Sequence, residues 1–193
     1  MTNTKTIFVC SDYSNIQWEL PITAAERVFR CLVAWQLNSS SEDGGIPDNV
    51  ARILASTLVN HVLVTFPTYT DQRGISFAHT NRIDDVRQAF DAEYFHWSHR
   101  GQIIFLSPLE AQPPTLSEEC LNLATDSENL YKLNDMGVIG LILPGVDGDL
   151  AGIYTFTKKL QNELINELKT VCIRNEVKFL EVSEDLLMEV LAT

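Results

Sequence analysis

The chain has 193 residues, of which 45% are apolar and 21% are charged, and its formal net charge at pH 7 is −12. This length and composition predict one compact α/β domain over residues 1–193. The acidity argues against direct binding of nucleic acid, which draws on clustered Lys and Arg. No apolar stretch is long enough to cross a bilayer and no signal-peptide pattern is visible, so we expect a cytoplasmic protein.

The negative charge is concentrated in the second half of the chain. Residues 1–100 contain 11 acidic and 8 basic residues, whereas residues 101–193 contain 15 acidic and 6 basic residues. Such acidity serves solubility, or it steers the protein towards a partner with a basic surface. The four cysteines stand in apolar contexts without a paired spacing, which predicts reduced core residues: Cys10, Cys31, Cys120 and Cys172.

The first half of the chain alternates strand and helix patterns. "TIFVC" at residues 6–10 is typical of a strand. Apolar residues at helical spacing predict a helix that begins at Ile22 and includes Phe29 and Val33. A second helix is predicted after Pro47, followed by a buried strand in "HVLVTFP".

The middle of the chain contains one ambiguous segment. "GISFAH" at residues 74–79 could be an additional, antiparallel strand. Asn81 is a candidate cap for a helix that reaches Tyr94. "QIIFLSP" then predicts another strand, and "TLSE" at residues 115–118 resembles a capping box that begins a helix.

The last third has the clearest periodicity. "GVIGLILP" predicts a strand, and the stretch from Ala151 to about Arg174 predicts a long helix. "VKFLEV" predicts a further strand, and Glu184–Leu191 a short helix. Five apolar strands alternating with helices predict a three-layer α/β sandwich with a mainly parallel, five-stranded, doubly wound sheet, which one extra strand would make mixed.

In such a sheet the loops that follow the strands meet at one edge, where ligands bind. Each of these loops carries at least one carboxylate: Asp12, Asp71, Glu110, Asp147 with Asp149, and Glu181. The candidate metal ligands among them are Asp12, Glu110, Asp147 and Asp149. Carboxylates brought together in this way bind Mg²⁺ or raise one another's pKa values. Alternatively, they are solvated loop residues that complement helix dipoles.

The acidic pair in "DGDLAG", residues 147–152, resembles the acidic loop of the Toprim family of primases and topoisomerases. In that family, two aspartates one residue apart follow an apolar strand and hold Mg²⁺ for phosphodiester chemistry. The resemblance implies that Asp147 and Asp149 are Mg²⁺ ligands. The family also uses a glutamate that is normally followed by glycine, and no Glu-Gly pair occurs in this chain.

Two other combinations of reactive side chains are weaker. His96 and His99 stand three residues apart and could contribute two metal ligands. Cys10 or Ser11, at the end of the first strand, could act as a nucleophile with His79 as its base, although no G-x-S-x-G motif is present.

Two classes of function follow. The favoured one is an acidic interaction protein, an accessory or inhibitory subunit that docks on a basic surface of a larger protein or nucleoprotein assembly. It requires no cofactor and binds neither nucleic acid nor membrane directly. The alternative is a Mg²⁺-dependent enzyme of Toprim-like or other phosphate chemistry that uses the strand-end carboxylates.

Overall fold

The computed structural model describes residues 4–11, 28–35, 46–65, 76–79, 83, 103–109, 118–124, 126, 128–144 and 150–192. The elements in chain order are β1 (Thr6–Cys10), β2 (Phe29–Trp35), α1 (Asp48–Thr57), β3 (His61–Thr65), β4 (Ser76–His79), β5 (Ile104–Pro108), α2 (Glu118–Ala124), a 3-10 helix (Leu130–Met136), β6 (Gly140–Pro144), β7 (Leu150–Thr155), α3 (Lys158–Arg174), β8 (Lys178–Glu181) and α4 (Glu184–Leu191).

The strands in the described ranges form one mixed sheet in the order β4-β3-β5-β6-β7-β2-β1-β8. β1 and β8 pair in parallel, and the other six neighbouring pairs are antiparallel. The prediction of a mainly parallel, five-stranded, doubly wound sheet is therefore wrong. The prediction treats continuous apolar runs as a sign of parallel strands. Such a run shows only that a strand is buried on both faces, and an antiparallel sheet covered by helices on both faces has the same pattern.

The helix predicted from Ile22 through Val33 is wrong for its second part. Residues Phe29–Trp35 form β2, which lies between β1 and β7. Leu32 and Val33 are both buried because helices cover the two faces of this strand. An apolar run buried on both sides satisfies helical and strand spacing equally well, so its periodicity does not separate the two. The part of the prediction before Val28 lies outside the described residues.

The long helix predicted from Ala151 is also wrong at its beginning. Leu150–Thr155 form β7, and α3 begins only at Lys158. The boundary is set by Thr157, whose extended backbone and side chain cap the helix: its Oγ1 accepts a hydrogen bond from the Leu160 backbone N–H at 3.2 Å. The segment that follows "DGD" is thus a strand rather than a helix.

Most of the other predicted elements are confirmed. The ambiguous segment "GISFAH" contains β4, which is antiparallel to β3. The short terminal helix has the predicted bounds, Glu184–Leu191. The helix predicted after Asn81 lies outside the described residues except for Ile83.

Helices cover both faces of the sheet. Alternate strand residues such as Ile7 and Val9 face α1 and α3, which bury Ile53 and Leu168 among others. The intervening residues face the other way, because successive side chains of a strand point to opposite faces. On that second face α2 and the 3-10 helix pack over β5, β6 and β7, whereas α4 packs over β1, β2 and β7.

The centre of the sheet is closely packed at β6. Gly140 pairs with Thr155 of β7 and with Leu106 of β5. A Cβ atom at Gly140 would lie 2.6 Å from the backbone oxygen of Tyr154, a distance that the backbone would have to relieve by moving. Glycine is therefore required here by the approach of β7.

Candidate functional site

The two helical layers differ in charge. We call α1 and α3 the basic layer, and α2, the 3-10 helix and α4 the acidic layer. Counted over helix residues with described side chains, the basic layer has five bases and three acids: Arg52, Lys158, Lys159, Lys169 and Arg174 against Asp48, Glu163 and Glu167. The acidic layer has one base and five acids: Lys132 against Glu119, Asp135, Glu184, Asp185 and Glu189. Turn residues add Glu176 beside the basic layer, and Asp126 and Glu128 beside the acidic layer.

The helix α4 is the most exposed part of the acidic layer. Ser183 caps its N-terminus and accepts a hydrogen bond from the Leu186 N–H at 3.5 Å. Glu184 and Asp185 lie in the first turn, where the helix dipole favours negative charge. Local sequence chemistry therefore determines where this eight-residue helix begins.

One fully buried side chain anchors α4 to the sheet. Leu187 is 0% exposed and packs in a cluster with Phe8, Leu32 and Leu150. Burial of a leucine contributes roughly 2 kcal/mol, so α4 is held mainly by this contact and by the half-buried residues beside it.

The outer side of α4 combines acidic and apolar residues. Asp185 and Glu189 are four residues apart, so they lie on one side of the helix and form an acidic ridge. Leu186 and Met188 flank this ridge and remain 45% and 41% exposed. We call these four residues the α4 ridge. The two acidic side chains therefore lie between two partly exposed apolar side chains on the outer surface of the helix.

The entrance to the 3-10 helix is also acidic and ordered. Asp126 Oδ1 accepts hydrogen bonds from the Glu128 N–H at 3.0 Å and the Asn129 N–H at 3.2 Å. Its Oδ2 accepts a third from the Asn129 side-chain amide at 2.8 Å. These bonds, first of all the one from the Asn129 side chain, lower the pKa of Asp126 from its ordinary value.

Lys158 and Lys159 at the start of α3 both have partners close by in the chain or in the neighbouring strand. Lys158 Nζ donates to Gln161 Oε1 at 2.7 Å and lies 5.9 Å from the centre of the Phe29 ring. Lys159 Nζ is 3.8 Å from Glu163 Oε1 in an exposed ion pair. Gln161 is 1% exposed and donates its amide to the Arg30 carbonyl at 2.5 Å, which ties α3 to β2.

The predicted Mg²⁺ ligands Asp12, Glu110, Asp147 and Asp149 all lie outside the described residues. The described strands nevertheless contradict the assumption that the loops carrying these residues all lie at the same end of the strands. β1 and β5 run in the same direction, and β6 runs opposite to both, so the carboxyl end of β6 is at the other edge of the sheet. The Mg²⁺ site remains a prediction that rests on the residues alone. Among the described residues, no group of three or more His, Cys, Asp or Glu side chains could hold a metal ion.

The suggested pair of Cys10 and His79 is not brought together. Cys10 is in β1 and His79 is in β4, which are six strand positions apart in the sheet. At about 4.8 Å per step, the two backbones are separated by roughly 29 Å. His96 and His99 lie outside the described residues.

All four cysteines are buried and none forms a disulfide, as predicted. Burial raises the pKa of the Cys172 thiol to about 11, so at neutral pH this group is a protonated, apolar core residue.

Sequence reasoning did not identify the α4 ridge, although the helix itself was predicted. The missed signal is that Leu187, Val190 and Leu191 share one side of the helix, which leaves Leu186 and Met188 outside it.

Comparisons with family models, curated proteins and solved structures found no match for this chain. Within the described ranges, no helix has the length and apolar character that a membrane span requires.

Proposed function

We propose that this chain is a cytoplasmic interaction protein, an accessory or inhibitory subunit that docks through its acidic layer on a basic surface of a larger protein or nucleoprotein assembly. The observation that carries the proposal is the α4 ridge, where Leu186 and Met188 stay exposed beside Asp185 and Glu189. This ridge belongs to the layer in which acids outnumber bases.

Each component of the ridge has a physical role in docking. Carboxylates attract a basic surface and orient the encounter, mainly by increasing the rate of association. Exposed leucine and methionine side chains then lose water against the partner, and methionine adapts its shape to the groove it meets.

The segregation of charge gives the docking an orientation. Lys158 and Lys159 repel a basic partner from the face of the sheet that α1 and α3 cover, because like charges repel. The acidic layer is separated from these bases by the sheet. The reduced, buried cysteines are in keeping with a cytoplasmic protein, since secreted domains of this size commonly form disulfides.

The test compares two variants with the same net charge. The double variant Asp185→Asn/Glu189→Gln neutralises the ridge, and Glu163→Gln/Glu167→Gln removes two acids from the basic layer. Tagged wild-type protein and both variants are used to recover partners from the native host at low and moderate salt. We expect the ridge variant to recover its stoichiometric partner about threefold to tenfold less well, which is the range for two partly solvated charge contacts.

The α3 variant should recover the partner as wild type does, and recovery by all proteins should fall as salt rises. Equal loss in both variants would show that net charge alone matters and would refute docking through the ridge. Recovery that depends on neither salt nor variant would refute the proposal as a whole.

A further inference from the structure

The strand β8 is the last in the sheet order of the described strands and pairs with β1 on one side. The Lys178 N–H donates to the Lys5 carbonyl at 2.9 Å, and the Val182 N–H donates to the Val9 carbonyl at 2.9 Å. In a parallel pair, alternate residues direct their backbone groups to the same neighbour, so the N–H and C=O groups of Phe179 point outward. Those of Glu181 do the same. No strand of the described ranges pairs with this outer side.

A strand that pairs antiparallel with this side of β8 must use backbone N–H and C=O groups that are not already bonded within its own sheet. For a second copy of β8, the outward residues can pair as Phe179 with Glu181 of the second copy, and the reverse. This register places Leu180 of the two copies opposite each other on the twofold axis. Leu180 is half-buried and lies on the face covered by α4, so part of its apolar side chain can pack against Leu180 of the second copy.

Charge favours this register. Lys169 Nζ of α3 lies 5.9 Å from the centre of the Phe179 ring. Phe179 and Glu181 lie on the same face, because they are two residues apart in a strand. Glu181 of the second copy, opposite Phe179, therefore comes beside Lys169, and the twofold axis creates this ion pair twice.

The neighbouring registers lack this complementarity. Pairing Glu181 with Glu181 of the second copy puts two like charges opposite each other, which is destabilising. Pairing Phe179 with Phe179 of the second copy brings the two Lys169 side chains together and leaves Glu181 opposite Val177. One register thus satisfies both the backbone groups and the charges.

An exposed apolar residue lies on the side of α3 that carries Lys169. Ile173 is 66% exposed and is one turn after Lys169 on α3, on the same side of the helix. It precedes the short turn that leads into β8.

We propose that β8 pairs antiparallel with β8 of a second copy, centred on Leu180, so that two sheets become one continuous sheet in a reversible homodimer. This interface is separate from the α4 ridge, so its failure would leave the proposed function untouched. The short paired strand implies a weak dimer, visible at micromolar concentrations and above.

Sedimentation of the full chain over a range of concentrations tests the proposal. Wild type should pass reversibly from monomer to dimer. Glu181→Lys and Lys169→Glu should each weaken the dimer on the order of tenfold, since each turns two attractive contacts into repulsive ones. The double variant Lys169→Glu/Glu181→Lys should recover wild-type association, because it restores the pair with its signs exchanged.

Glu163→Lys is the matched control, because it changes the net charge as Glu181→Lys does but lies away from β8, beside Lys159. It should dimerise like wild type. Amide exchange at Phe179 and Glu181 should slow as the concentration rises, whereas the already bonded Lys178 amide should not change. A monomer at every concentration, a double variant as weak as the single ones, or unchanged exchange at these two amides would each overturn the proposal.

Discussion

Two helices on opposite faces of the sheet, α3 of the basic layer and α4 of the acidic layer, are attached to it very differently. In the basic layer α3 buries five residues over 17 and packs against α1 as well as the sheet. In the acidic layer α4 buries only Leu187 over 8 residues. Elements with few buried contacts open most easily and are commonly those that bind partners. The comparison indicates that α3 stabilises the sheet and that α4, the more loosely attached helix, is the better binding surface. The other helices of the acidic layer are firmly attached, since Cys120, Ala124, Leu130 and Leu133 are all fully buried.

The largest expected effect is in the basic layer. Leu168→Ala should lower the free energy of unfolding by about 3 kcal/mol, because the side chain is 2% exposed and its loss leaves a cavity. Urea denaturation followed by circular dichroism measures the change. Asn162→Ala, an exposed position on the same helix, should change it by less than about 0.5 kcal/mol. A similar loss at both positions would show that α3 is not held by its buried side.

A substitution in α4 should lower the free energy of unfolding less than Leu168→Ala does, but it should reduce partner recovery more. Leu187→Ala should cost about 2 kcal/mol, mostly by releasing α4, because the rest of the sheet keeps its own contacts. Amide exchange should lose protection in α4 but not in β2, and partner recovery should fall. Leu186→Ala is the control for the surface: it should reduce recovery without changing protection. If the amides of α4 stay protected in Leu187→Ala, Leu187 is not the main contact that holds α4 on the sheet.

The basic-layer side also has its own pH response. Desolvation lowers the pKa of His61 below 6.5, although the Leu58 backbone and Glu163 partly oppose this shift. The unfolded chain therefore binds a proton before the folded one does. Stability should fall as the pH drops below about 6.5, and it should be fully present above that value. Urea midpoints between pH 7.5 and 5 should show this loss, and His61→Gln should flatten it. An equal slope in the variant would contradict the assignment.

The acidic layer should respond in a different window. The pKa of Asp126 is lowered, so its contribution to stability is present above the ordinary aspartate pKa and is lost as the pH falls through the lowered value. Asp126→Asn should reduce the dependence of stability on pH only below about pH 4. A change near pH 6 in this variant would show that the two windows are coupled.

The smallest expected effect concerns the acidic pair Asp147 and Asp149. Our account requires no metal, so titration of Mg²⁺ into the protein should release no binding heat in a calorimeter. Binding heat that disappears in Asp147→Ala/Asp149→Ala would instead establish the Mg²⁺ alternative.

Local signals predicted most elements, and longer-range pairing limited the rest. Pro47 and the apolar side of α1 predicted that helix, and the short helix Glu184–Leu191 was predicted with the bounds that α4 has. Strand direction is different, because β1 and β8 are parallel and all other neighbours are antiparallel, although β1 is as apolar as the antiparallel strands β5 and β6. The direction of a strand relative to its neighbour depends on which segments pair in the sheet, and the sequence of one apolar segment does not identify its partner.

The candidate site was predictable only in part. The excess of acids in the second half of the chain was visible, and so was the helix that contains Asp185 and Glu189. That α2, the 3-10 helix and α4 share one face was not visible, because it follows from which side residues such as Phe8 and Tyr154 occupy. Strand alternation supplies the two faces, but only the folded sheet assigns helices to them.

The most direct test of the central claim is partner recovery by wild type, Asp185→Asn/Glu189→Gln and Glu163→Gln/Glu167→Gln at a single low salt concentration. If the acidic layer is the docking surface, the first and third proteins recover the same stoichiometric partner and the second recovers several-fold less. Equal recovery by all three proteins would contradict it.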